Sequence, residues 1–193
     1  DRMIEGKKIW KPGNILYPLP VVMVSCGSEE DGYNIITIAW TGTINTNPPM
    51  VYISVRPERY SYDLIKKHMA FTINLVNKPL LIAADFCGVK SGRDMDKFKT
   101  VRLTPVPGVD IPCPMIAESP MSLECKVTQI LELGSHHMFV AEVLNSIADE
   151  RFFNSKTNKF DLENAGLVSY NHGGYFEQGD KAGKFGYSVA KKK

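Results

Sequence analysis

The sequence contains no CxxC pair, no GxGxxG, no Walker loop, no GxSxG and no HExxH. These absences remove a zinc ribbon or dithiol centre, a Rossmann or P-loop nucleotide site, a serine-hydrolase elbow and a zinc-protease helix. No apolar run approaches the roughly 20 residues that span a bilayer, and Arg2, Glu5, Lys7, Lys8 and Lys11 fill the opening segment, so neither a membrane span nor a secretory leader is expected. The start at Asp1 reads as a processed end. Charge of one sign is also missing. A net charge of +2 leaves no basic face to follow a phosphate backbone, and Lys191, Lys192 and Lys193 read as a solvated tail, so no nucleic-acid partner is expected. Cysteine is sparse, with Cys26, Cys87, Cys113 and Cys125 scattered. Free thiols in a cytoplasmic, reducing compartment are the expectation.

What is present is ordinary for a globular chain. Hydrophobic residues make up 44% of the 193 and charged residues 23%. No repeat or low-complexity linker divides it, which predicts a single domain over residues 1–193 able to bury about 70% of its unfolded surface. Val21 to Cys26, the turn Glu29 to Gly32 and the Ile/Thr/Trp-rich stretch Tyr33 to Thr41 predict a hairpin. Pro48-Pro49 then breaks the chain before a third strand, Met50 to Val55, and the turn Arg56 to Arg59. Ser61 is the expected N-cap of a helix with Asp63 in its first turn and Leu64, Ile65 and Met69 on its apolar stripe. Ala70 to Leu75 returns to strand, Leu80 to Phe86 reads as a short helix, and a polar loop with a helical turn near Met95 to Phe98 follows. Five prolines between Pro105 and Pro120 mark an extended connector. Ser122 to Leu133 and His137 to Ile147 then form a second hairpin around Gly134-Ser135. Strands cluster rather than alternating with helices, which predicts a mainly β fold, an antiparallel barrel with peripheral helices.

The chemistry concentrates between Asn34 and Ser61, NIITIAWTGTINTNPPMVYISVRPERYS. Two β runs end in an arginine-rich turn and a helix start, an arrangement suited to a flat aromatic ligand with a phosphate tail, because strand-edge backbone meets ring edges and a helix N-terminus meets the anion. Arg56, Arg59 and Ser61 are the phosphate candidates, against the plainer reading of a capped surface helix beside solvated arginines. Thr41-Gly42-Thr43 after Trp40 is a place where backbone approaches a ring closely, although Trp40 taken alone is a core aromatic. Lys97 in DMDKF offers an ammonium for charge developing on a reduced ring; a lone lysine in such a loop is ordinarily just solvated. His136 and His137 adjoin at a strand start and should face opposite ways, which makes them poor ligands for one metal, and no metal site is expected.

With FCGVKSGRDMDKF, LECKVTQILELGSHHMFVAEV and a tyrosine-rich tail, these segments follow the order of, and together resemble, the flavin reductase-like family, in particular its flavoredoxin branch, from about Pro20 to Ser188. The resemblance implies an FMN-binding split β-barrel and a homodimer with the cofactor near the subunit interface. It implies cofactor contacts at Asn34, Trp40, Thr41, Gly42, Thr43, Ser54, Arg56, Arg59, Ser61, Ser91, Gly92, Lys97, His136 and Tyr170. His136 is carried as the catalytic candidate, able to orient a nicotinamide or donate a hydrogen bond; a satisfied hairpin histidine and, at Tyr170, a core tyrosine are the alternatives. The implied activity moves electrons from NAD(P)H or a redox protein to free flavin, a metal ion or a partner protein; the alternative is a non-enzymatic FMN carrier or flavin store. The chain departs from the family's usual pattern in having Ser135 where an acidic residue is common and Ala141 where glycine is frequent, so ligand access at that hairpin is expected to differ.

Overall fold

The computed structural model describes residues 4–192. Its first strand is the short β1 (Leu19–Pro20), and β2 (Val22–Ser28) and β3 (Gly32–Ile38) then form the first hairpin. A Cβ at Gly27, where φ is +89°, would lie 2.1 Å from the Gly32 carbonyl oxygen, so this turn requires glycine. The Tyr33 to Thr41 stretch is not one strand as expected. It bends at Ala39 and Trp40, and β4 (Thr41–Asn45) starts afresh to pair with β5 (Met50–Val55).

Helix α1 (Tyr60–His68) follows, with Asp63 in its first turn and Lys66, Lys67 and His68 in its last, each sign on the favourable end of the helix dipole. Its N-cap is Arg59, without a side-chain capping bond, and Ser61 lies inside the helix, which corrects the expected cap. Met69, expected on the apolar stripe, is instead the left-handed C-cap and is exposed. β6 (Ala70–Leu75), α2 (Leu81–Val89) and α3 (Lys97–Thr100) come next. Within the proline-rich connector β7 (Pro105–Val106) pairs with β8 (Met115–Ile116), a ladder that composition did not signal. β9 (Met121–Glu132) and β10 (His137–Ala148) form the long second hairpin. β11 (Phe153–Asn154) pairs with β12 (Lys159–Phe160), and the aromatic tail forms a hairpin of β13 (Val168–Asn171) and β14 (Gly174–Glu177), with β13 also pairing with β1. Among the described residues no helix is long and apolar enough to cross a membrane.

The main sheet is antiparallel, in the order β3-β2-β6-β9-β10-β5-β4. Its two edge strands, β3 and β4, are consecutive in the chain, with only Ala39 and Trp40 between them. A flat seven-stranded sheet would separate its edges by about 29 Å at 4.8 Å per strand, so the sheet must curl back on itself. Trp40 marks the seam, where Ser54 N–H donates to its carbonyl oxygen at 2.9 Å.

Period-two alternation then divides the core. Val24, Ile36, Ile53, Phe71, Val127 and Phe139 fill the barrel, while Met23, Ile35, Leu80, Ala84, Cys87 and Phe98 form a second layer under α2 and α3. β2 is buried on both faces, which explains its near-continuous apolar run.

Candidate functional site

An open groove of about 470 Å³ lies along the barrel seam. Trp40 at the seam, the β5 end (Ser54, Val55, Arg56), Arg59, the β9–β10 turn (Ser135, His136), the last turns of α2 (Asp85, Gly88, Val89) and the tail hairpin (Tyr170, Tyr175) line it. The volume falls within the range of about 300–1,000 Å³ usual for cofactor pockets.

One wall is aromatic: Trp40 and His136 lie nearly parallel, with an interplanar angle of 24° and centroids 6.5 Å apart. Ser135 Oγ lies 2.9 Å from His136 Nδ1. Burial first, then the Arg56 charge, lower the His136 pKa, which favours the neutral imidazole. A carboxylate at position 135 would oppose that shift; this chain has a hydroxyl. Ala141, the other departure from the family pattern, is fully buried in the barrel core and does not line the groove.

The cationic end is built by the turn before α1. Arg56 is exposed, 3.8 Å from Glu58. Arg59 donates to Gly88 O at 3.1 Å and Lys90 O at 3.4 Å, placing its charge at the C-terminus of α2, where the helix dipole is negative. These two contacts leave part of its fork of five N–H donors free.

Of the residues singled out from sequence, Trp40, Ser54, Arg56, Arg59, His136 and Tyr170 line the groove. The remainder sit behind it or beside it. Asn34 Nδ2 donates to Ser61 Oγ at 2.7 Å, and both side chains are buried. A Cβ on Gly92 would stand 2.3 Å from Asn34 Oδ1 and 2.6 Å from the Tyr60 ring, so Gly92 is needed for close packing against β3 and α1. Ser91 Oγ accepts from Arg93 N–H within its own loop. Thr41 Oγ1 donates to Tyr52 O at 2.8 Å, and the space above Gly42 is taken by the Tyr52 ring, 3.1 Å from where a Cβ would be; Thr43 is exposed on the edge strand.

Lys97 differs most from its sequence reading as a loop residue. It is 1% exposed, opens α3, and donates to Ile35 O at 2.7 Å and Cys87 O at 2.8 Å. Burial pulls its pKa down to about 8. The lysine thus joins β3 to α2 beneath the groove floor. His136 and His137 do face apart: His136 stacks by Trp40, and His137 Nδ1 meets the Tyr62 hydroxyl at 2.6 Å.

Sequence reasoning missed Asp85 and Tyr175, which meet across the groove: the Tyr175 hydroxyl donates to Asp85 Oδ1 at 2.6 Å. Asp85 is the one charged residue in the apolar helix LIAADFCGV, and that isolation was the available signal.

Residues 15–175 match the flavin reductase like domain, and the chain belongs to that family. It is similar to the flavoredoxin of Desulfovibrio vulgaris (Miyazaki F), with a TM-score of 0.87 and 28% identity, covering 95% of this chain and all of that one. It is also similar to the flavoredoxin from Methanosarcina acetivorans, with a TM-score of 0.84, 27% identity and coverage of 95% and 100%. An uncharacterized protein of Pyrococcus abyssi is 30% identical over 145 residues, 75% of this chain and 83% of its relative. The curled sheet is the split barrel of the flavin reductases, and the chain is a flavin reductase-like protein related to flavoredoxins.

Proposed function

We propose that this protein binds FMN in the seam groove and works as an oxidoreductase of the flavin reductase and flavoredoxin type. Electrons arrive from NAD(P)H or a protein donor and leave to free flavin, a metal ion or a partner protein. The observation that carries the reading is the lining of the groove: a flat aromatic wall at Trp40 and His136 shares it with two arginines, Arg56 and Arg59.

The residues fit the group. A phosphate monoester carries about −1.5 to −2 charges, which Arg56 and Arg59, flanking the opening of α1, match in sign. Ser61, with its hydroxyl already engaged by Asn34, contributes by fixing the shape of that helix opening. A bound flavin supplies the two-electron redox chemistry, and the chain supplies its binding, its orientation and access to it. His136, its pKa lowered beside the ring wall, is placed to donate or accept one hydrogen bond toward a ligand. Lys97 acts from beneath the floor, as a buried positive charge that favours a reduced, more anionic ligand.

Residues 13–17 shape a neighbouring cleft that shares Trp40 and Ser54 with the groove. The same arm leaves Trp10 66% and Leu16 85% exposed, apolar surface that suits a homodimer closing over the groove. Cys26, Cys87, Cys113 and Cys125 are buried and unpaired, in keeping with a cytoplasmic protein.

Anaerobic mixing of the FMN-loaded protein with NADH and then NADPH tests the enzymatic reading. Bleaching of the yellow band at a catalytic rate is the expected result. A band that stays oxidised with both nucleotides would replace it with a carrier or storage role.

A further inference from the structure

The groove has an anionic corner that the flavin reading leaves without a task. Asp85 lines the groove from α2, and Tyr175 reaches it from β14 to donate a hydrogen bond to Oδ1 at 2.6 Å. Burial and the neighbouring carboxylate push the Tyr175 hydroxyl well above its usual pKa, so it remains a donor throughout the working pH range. A carboxylate has about four acceptor sites on two oxygens. Among the described residues only Tyr175 is bonded to it, and Asp85 is exposed where it lines the groove, which leaves acceptor capacity open to a ligand there.

The position of this corner relative to the cations is set by the helix. Asp85 lies three residues before Gly88, whose carbonyl holds Arg59, a separation of about 4.5 Å along α2. A phosphate is drawn to Arg56 and Arg59 and repelled by Asp85, so a bound phosphate ester is oriented with its anion at the arginines. What then passes Asp85 must offer donors. In a phosphorylated polyol the hydroxyls begin on the second carbon from the ester oxygen, within reach of a group one helical turn away.

We propose that Asp85, held in place by Tyr175, is a ligand-binding residue that accepts hydrogen bonds from the hydroxyl-bearing chain joining a planar ring system to its phosphate. The inference rests on the flavin reading and adds to it the residue that recognises the middle of the ligand. Tyr175 is the positioning residue: its ring packs on Tyr170, with centroids 5.9 Å apart, and its hydroxyl fixes the carboxylate rotamer.

The test is fluorescence titration of the cofactor-free full chain with three probes: FMN, riboflavin, which lacks the phosphate, and lumiflavin, which lacks both phosphate and hydroxyls. Asp85→Asn keeps the size of the side chain and an acceptor for Tyr175 while removing the charge. Loss of a hydrogen bond to a charged group is expected to weaken riboflavin binding about ten-fold or more. FMN should lose less, because the repulsion of its phosphate is relieved as well, and lumiflavin should be unchanged. Tyr175→Phe should give a smaller loss in the same pattern. Unchanged riboflavin affinity in Asp85→Asn, or an equal loss for lumiflavin, would overturn the inference while leaving the flavin site standing. Failure of the unaltered protein to bind any of the three would overturn the flavin reading itself.

Discussion

At the scale of single residues, charge placement decides most of the behaviour. Lys97 is a base whose pKa falls from 10.5 to about 8 on burial. Below about pH 8 it is charged in both folded and unfolded chains, and the folded chain carries the full desolvation cost. Between about 8 and 10.5 the unfolded chain binds more protons than the folded one, so this group makes stability rise with pH. Urea midpoints at about pH 7.5 and 9.5 should therefore show the unaltered protein gaining on Lys97→Met; a constant gap would refute a buried, proton-releasing lysine. A second test concerns His136, whose pKa is lowered while Ser135 stands beside it. Ser135→Asp should raise that pKa, read from the imidazole NMR shifts against pH, because a nearby carboxylate favours the charged ring. No movement would mean that the turn does not set the electrostatics of the aromatic wall.

At the scale of elements, α2 organises the groove because three of its carbonyls are engaged by side chains from other elements. Thr37 holds Ala84 O, Lys97 holds Cys87 O, and Arg59 holds Gly88 O. The loop after α2 is fixed in turn by the absence of a side chain at Gly92, which leaves room for Asn34 and Tyr60. Gly92→Ala should force these neighbours apart, lowering the thermal midpoint and weakening FMN binding together. Stability loss with FMN affinity unchanged would detach this loop from the site. How far the elements were legible follows the same logic. The strands of both main hairpins, β5 and α1 showed in the sequence because apolar period and turn residues specify them locally, whereas β4 did not. The break at Ala39-Trp40 did not, because curling of the sheet is dictated by strands β6, β9 and β10 inserted from far along the chain. The burial of Lys97 was not legible because its two acceptors, Ile35 O and Cys87 O, lie 62 and 10 residues away. Asp85 escaped notice because its partner is 90 residues distant.

At the scale of the whole molecule, the seam joins edge strands β3 and β4, and the groove opens along it where a second copy can cover the exposed arm. Light scattering coupled to size-exclusion chromatography should give twice the 21.6 kDa chain mass, and Trp10→Glu with Leu16→Glu should lower that mass. A monomer in the unaltered protein would contradict the dimer. The central claim is narrower: a flat ring at Trp40 and His136, with its phosphate at Arg56 and Arg59. It is tested most directly by titrating the cofactor-free protein with FMN and with riboflavin, before and after replacing both arginines by alanine. The account predicts one FMN per chain, a loss of about a hundred-fold or more in FMN affinity in the double variant from two charge-assisted contacts, and little change for riboflavin. A protein that takes up no FMN, or a double variant that binds it as tightly as before, would contradict the account.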